Sequence, residues 1–214
     1  MTQPFFEPVN PQVRLPSVEQ KVLALWRTQD TFRESLRRTQ GHAPYVFYDG
    51  PPFATGLPHY GHLMAGTLKD IIPRFWTMRN HYVERRFGWD CHGLPVENEM
   101  EKEFRVSGKR DIERLGVDIF NEACRSIVLR YTSEWQRTVE RMGRWVDFEN
   151  QYRTMDPPYM ESIWWVFKQV WDKDLIYQGF RVQPYCPRCT TPLSNFEVNE
   201  GYRDVKGPSI TVTF

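Results

Sequence analysis

The spacing of apolar positions changes along the chain, and each change marks an element. Val18, Val22, Leu25, Trp26, Phe32 and Leu36 recur at helical spacing, which predicts one helix with a single face packed on the body. Ser17 with Gln20 three residues on reads as its capping box, and Gly41 to Pro44 ends it. The more polar, proline-rich residues 1–16 read as an extended lead-in. Residues 45–49, Tyr-Val-Phe-Tyr-Asp, have the composition of a buried strand, and Gly50-Pro51-Pro52 stops it. Leu63, Thr67, Leu68, Ile71, Ile72 and Phe75 then return to helical spacing as the buried stripe of a second helix. Pro73 is placed to kink or divide that helix.

Residues 82–87 read as a strand again. Strand, helix and strand within about the minimum length of a parallel crossover predict an α/β protein with a Rossmann-like parallel sheet and flanking helices. In such sheets ligands bind outside the carboxyl ends of the strands. The glycine-bearing loops around Gly50 and over residues 88–93 both leave from that edge, so the two should converge. Downstream, residues 97–104 read as a charged helix and residues 107–110 as a basic turn. With Asp118 as N-cap, Phe120, Ala123, Ile127, Val128, Tyr131, Trp135, Val139 and Met142 predict one long helix. Its arginines read as a solvated face. Asp156-Pro157 is an N-cap followed by proline at the first helical position, and Met160, Ile163, Trp164, Phe167 and Trp171 give the next helix a buried face. Residues 180–184 and 210–214 read as strands. The resulting division is an N-terminal extension and helix over residues 1–44, a Rossmann-like sheet domain over 45–179, and a small cysteine-containing appendage over 180–214.

Composition narrows the functional classes. A chain of 214 residues that is 40% hydrophobic can bury one core plus an appendage. A formal charge of +1 gives no basic surface to drive nucleic-acid binding, so an RNA partner would have to be held by shape or local patches. No apolar run reaches the length of a membrane span, and MTQPFFEPVN lacks the basic start and apolar core of a signal peptide. The expectation is a soluble, cytoplasmic protein without membrane attachment. Four cysteines, two of them in Cys186-Pro187-Arg188-Cys189, suit a reducing compartment better than a disulfide framework.

The residues with chemical potential cluster at the first loop. His59 and His62, three apart in His59-Tyr60-Gly61-His62, fall on one face of the first turn of the second helix. A helix N-terminus after a strand offers N–H groups and partial positive charge to a phosphate, and two imidazoles add directed donors. Gly61 between them keeps the backbone open to a flat ligand. Asp90, in a glycine-bounded turn, reads either as a counter-charge for a cation or as a turn cap. Cys186 and Cys189 resemble half of a zinc knuckle, with a redox pair as the competing reading.

Those residues carry a family resemblance. The histidine turn resembles the HIGH signature of class I aminoacyl-tRNA synthetases, with Tyr60 where isoleucine is commoner. Asp49-Gly50-Pro51-Pro52-Phe53-Ala54 and Gly88-Trp89-Asp90-Cys91-His92-Gly93-Leu94-Pro95-Val96-Glu97 resemble the isoleucine-specific branch, with Thr55 departing from its usual Asn. The resemblance implies ATP-dependent activation of isoleucine to isoleucyl-adenylate and transfer to its tRNA, with ATP bound as its Mg2+ complex. It implies that His59, Gly61 and His62 meet the nucleotide, with the two histidines catalytic. It further implies that Gly50, Pro51, Trp89 and Asp90 meet the amino acid, with Asp90 facing its ammonium. It implies a monomer, a Zn2+ site to which Cys186 and Cys189 give two of four ligands, and an editing insertion beginning near residue 214. No stretch resembles the lysine-rich KMSKS loop; Lys109 and Lys206 stand alone, so weak activity of these residues by themselves is expected. The alternatives are a valyl or leucyl relative, a small nucleotidyltransferase, and a nucleotide- or RNA-binding fragment without turnover.

Overall fold

Three chain segments run side by side and parallel in the computed structural model, which describes residues 11–198 and 202–213. Of the expected lead-in, residues 1–10 lie outside the described residues. The first element is α1 (Leu15–Thr28), followed after Asp30 by α2 (Thr31–Thr39). The single helix expected here is therefore two. Asp30 takes the left-handed conformation at φ 48°, which reverses the chain, and Arg37 holds its carboxylate from the next helix. The predicted capping box is also not formed: the N-cap is Arg14, with no side-chain bond, and Pro16 sits in the first turn.

Residues 43–53 follow as the first of the parallel segments. Bridges pair Pro44 with Tyr82 and Phe53 with Asp90, both parallel. Between them no regular strand forms, contrary to the sequence reading: the Tyr45 N–H donates to the Tyr82 carbonyl at 2.9 Å, and at the far end Pro51 and Pro52 carry no N–H to donate to a ladder. The segment keeps strand-like alternation: Tyr45, Phe47 and Asp49 are half-buried, whereas Val46 and Tyr48 are exposed. The chain then enters α3 (Tyr60–Met78), which runs through Pro73 without being divided. The carbonyl of Pro73 accepts the buried Arg85 guanidinium at 2.9 Å, and burial lowers that guanidinium's pKa to about 10.

The second segment becomes regular as β1 (Arg86–Trp89). Next come α4 (Leu94–Phe104), α5 (Lys109–Leu115), α6 (Val117–Ile127) and α7 (Thr132–Arg141). The long helix expected from Asp118 is thus broken between α6 and α7, and its N-cap is Gly116. The break follows a tertiary demand: the Tyr131 N–H leaves the helix to bond the Ala54 carbonyl at 3.3 Å. The third segment, β2 (Asp147–Arg153), pairs parallel with β1, setting Gly88 opposite Tyr152 and Trp89 opposite Arg153. It was not read in the sequence; DFENQYR is too polar to look like a buried strand. The core gathers on one face of this sheet, where Phe87, Trp89, Val96, Met100, Phe120, Ile127 and Trp135 are buried together.

After α8 (Pro157–Trp171), whose N-cap is Asp156 as expected, residues 180–184 form no strand, although the Pro184 carbonyl accepts the Leu193 N–H at 2.9 Å. The hairpin β3 (Tyr185–Cys186) and β4 (Thr191–Pro192) and the short α9 (Asn195–Val198) complete the described elements. Residues 210–213 form no strand. Three apolar faces predicted to pack are not buried, and on the first of them Val18, Val22 and Leu25 of α1 are 37 to 50% exposed. Leu68, Ile71, Ile72 and Phe75 on α3, and Met160, Ile163, Trp164, Phe167 and Trp171 on α8, are 39 to 71% exposed. The accessible surface is 17889 Å², against about 10,400 Å² expected for a compact chain of 25.6 kDa. The helical period marks a face as apolar, but only a neighbouring element can cover it, and the described residues leave these faces largely uncovered.

Candidate active site

His59 is the N-cap of α3, in extended conformation at φ −108° and ψ 172°. Its ring Nδ1 accepts the Gly61 N–H at 3.1 Å, while its own N–H donates to Nδ1 of His62 at 3.2 Å. The two imidazoles therefore close a reciprocal capping box and stack with ring centroids 3.6 Å apart. The chemical consequence is a fixed tautomer. A neutral ring whose Nδ1 accepts must carry its proton on Nε2, so each ring has one N–H left to offer a ligand. Burial first, then the neighbouring His59 and Lys69, hold the His62 pKa below its ordinary value. Behind it, an apolar cavity of about 80 Å³ between α3 and α7 is bounded by Leu63, Trp135, Val139 and Met142. The Trp135 ring stands edge-on to His62 at 4.7 Å and donates its indole N–H to the Gly56 carbonyl at 2.8 Å. Gly61 is needed for a reason the spacing did not show. A Cβ there would lie 3.0 Å from Cε1 of His59, so the space is taken by the chain's own imidazole.

The loop with Gly50 and Pro51 is anchored by charges. Asp49 is ion-paired to Lys69 of α3 at 2.5 Å and to Arg144, and the side chains of Asp49 and Arg144 are nearly buried. Lys69 also donates to the Gly50 carbonyl at 2.7 Å. One lysine thus ties the turn to the helix that carries both histidines. None of Asp49, Lys69 or Arg144 reads as a site residue in the sequence; Asp49 alone carries a signal, as the charge that ends an apolar run and opens the Asp49-Gly50-Pro51-Pro52 motif.

Asp90 follows β1 directly, half-exposed, with its N–H bonded to the Pro52 carbonyl at 2.9 Å. The Gly50–Pro51 turn and Asp90 are therefore neighbours across one sheet edge. Trp89 is placed differently. Its side chain is fully buried, hydrogen-bonded to Gln151 and edge-on to Trp135 at 6.1 Å, so it holds the wall from within and offers a ligand no side-chain surface. The Tyr152 hydroxyl reaches the Asp49 carbonyl at 3.1 Å. Burial, with Asp49, Tyr159 and Asp90 nearby, pushes the Tyr152 pKa up to about 12.

Cys186 and Cys189 lie apart from this cluster, on the β3–β4 hairpin near Glu101 of α4. Cys186 Sγ accepts the Cys189 N–H at 3.4 Å, and Thr190 adopts φ 55° to turn the chain. An amide directed at sulfur favours the thiolate, and the Cys186 pKa is lowered accordingly. The two thiols share one hairpin turn. Among the described residues no group of three or more His, Cys, Asp or Glu is placed to hold a metal.

A parallel sheet with flanking helices, and paired imidazoles capping the helix after its first segment, is the arrangement expected of a class I synthetase domain. A family model for tRNA synthetases class I (I, L, M and V) matches residues 21–213, and the chain belongs to that family. Within it the chain is similar to isoleucine–tRNA ligases. It is 58% identical over 210 residues to that of Treponema denticola (98% of this chain, 19% of that protein). It is 55% identical over 199 residues to the cytoplasmic enzyme of Arabidopsis thaliana (93% and 17%), and 52% identical over 202 residues to that of Mus musculus (94% and 16%). The chain spans less than a fifth of the length of these relatives. A solved LeuRS from Agrobacterium radiobacter K84, in a ternary complex with tRNA and LeuAMS, shares the fold at TM-score 0.50 and 19% identity, over 74% of this chain and 18% of that one. No described helix is long and apolar enough to cross a membrane.

Proposed function

We propose that these residues form the ATP- and amino-acid-binding first half of the catalytic domain of an isoleucine–tRNA ligase that works in the cytoplasm. The observation that carries this reading is the imidazole pair capping α3 beside the Gly50 turn, with two Nε2–H donors free for phosphate oxygens. Activation joins the isoleucine carboxylate to the α-phosphate of ATP, bound as its Mg2+ complex, and releases pyrophosphate. The attacking carboxylate is already ionised at neutral pH, so no base or protein nucleophile is required. Catalysis reduces to alignment and to stabilising charge that develops on phosphorus oxygens, which is the role of His59 and His62. Asp90 faces the substrate ammonium, and Gly50 and Pro51 form a wall for its side chain. Trp89 supports that wall from the core. Transfer to tRNA follows in the complete enzyme. Cys186 and Cys189 would hold a structural Zn2+ together with two ligands from outside the described residues. ATP–pyrophosphate exchange with a panel of amino acids tests the function. Isoleucine-dependent exchange by the complete polypeptide is expected; preferential exchange with valine or leucine, or none with any amino acid, would refute it.

A further inference from the structure

Tyr152 is the residue whose placement the activity as described leaves unused. It sits on the outer of the three parallel segments, β2, yet its hydroxyl donates to the Asp49 carbonyl on the opposite outer segment at 3.1 Å. To get there the ring must pass over β1, and it does so at its register partner Gly88. A Cβ at Gly88 would fall among the Tyr152 atoms Cζ, Cε1 and the hydroxyl oxygen. Glycine is therefore required there so that a side chain from the neighbouring strand can lie across the sheet. The ring is held from the other side by Tyr159 in the first turn of α8, stacked with centroids 5.8 Å apart and 3° between planes. Asp90, two residues beyond Gly88, shares that face of β1 by the strand's period of two, and its charge is felt at the phenol.

We propose that Tyr152 is a positioning residue that fixes the separation between the Gly50–Pro51 turn and Asp90, and thereby the fit of the amino acid. This rests on the synthetase reading above. The Asp49 side chain is pulled toward α3 by Lys69 and Arg144, while its carbonyl is held over the sheet by Tyr152, so the turn that follows is clamped on both sides. Without the phenol the turn is held from the α3 side alone.

The test is steady-state exchange by the complete polypeptide. Tyr152→Phe keeps the ring and removes the donor. One neutral hydrogen bond corresponds to about a two- to ten-fold change in an equilibrium constant, so KM for isoleucine should rise by about that factor while kcat and KM for ATP hold. A parallel fall in kcat and thermal midpoint with a rise in KM for ATP would mean a merely structural role, and an unchanged isoleucine KM would equally overturn the proposal. Gly88→Ala should destabilise the fold by driving into the ring. Gly88→Ala with Tyr152→Ala should lose no more of the thermal midpoint than Tyr152→Ala alone, with the isoleucine KM still raised; an isoleucine KM restored to that of the unsubstituted protein would overturn the proposal. Failure of the synthetase reading would show separately, in the unsubstituted protein. If another amino acid were activated, the same KM comparison applies to it.

Discussion

Replacing Gly61 by Ala separates the catalytic role of the histidine pair from its structural one. The added methyl would stand 3.0 Å from Cε1 and 3.1 Å from Nδ1 of His59, so the imidazole must move by a few tenths of an ångström and its bond to the residue-61 N–H weakens. Loss of a cap of this kind costs about 1 kcal/mol. Alanine inside a helix is favoured over glycine by about 0.8 to 1 kcal/mol. The two nearly cancel, so the thermal midpoint should move by only a few degrees. Activity should not be spared. The His59 ring is stacked on His62 at 3.6 Å, and moving it displaces its Nε2–H. Complete loss of one such donor typically lowers the rate by about a hundred- to a thousand-fold, and a displaced donor should lose about ten-fold or more. Rapid-quench measurement of isoleucyl-adenylate formation by the complete polypeptide, beside calorimetric unfolding, would read both quantities. A variant that unfolds much earlier, or one that forms adenylate at the original rate, would refute the reasoning. A variant in which only ATP affinity falls would make the histidines holders of nucleotide, not participants in the step.

Because the His62 pKa is lowered from 6.5, the unfolded state binds the proton more readily. The stability of the neutral ring is fully present above about pH 6.5 and is lost as pH falls through the lowered value; an NMR titration placing His62 at or above 6.5 would contradict this. Asp90→Ala should weaken isoleucine binding by roughly ten- to a hundred-fold, the range for a charge-assisted bond at a half-exposed site, and leave ATP binding intact by calorimetry. Equal isoleucine affinity would make Asp90 a turn cap. Cys186→Ser or Cys189→Ser in the complete polypeptide should remove bound zinc, as read by metal analysis; a zinc-free parent purified without chelator would favour the redox reading.

What the sequence determined by itself is local. Gly50-Pro51-Pro52 cannot continue a strand, Asp156-Pro157 must begin a helix, and His59 and His62 three apart must share a helical turn; all of these follow from backbone chemistry within a few residues. The crossover of residues 43–53, α3 and β1 was legible for the same reason, since length and period suffice to predict it. What only the tertiary structure decided are matters of partnership. The stripe from Phe120 to Met142 looks continuous because burial on one side is common to α6 and α7; the bond from Tyr131 to Ala54 breaks it. The polar run DFENQYR is a strand because β1 offers it a ladder, not because of its composition. Gly61 and Gly88 look like open backbone, yet each is shaped by an aromatic ring, from two residues away and from another strand. Asp49, Lys69, Arg144 and Tyr152 come from four places in the chain, and the contacts that make them one support for the Gly50 turn exist only once the sheet and α3 are assembled. Periodicity records which face of an element is apolar; the neighbour that meets that face is set by the packing of the whole.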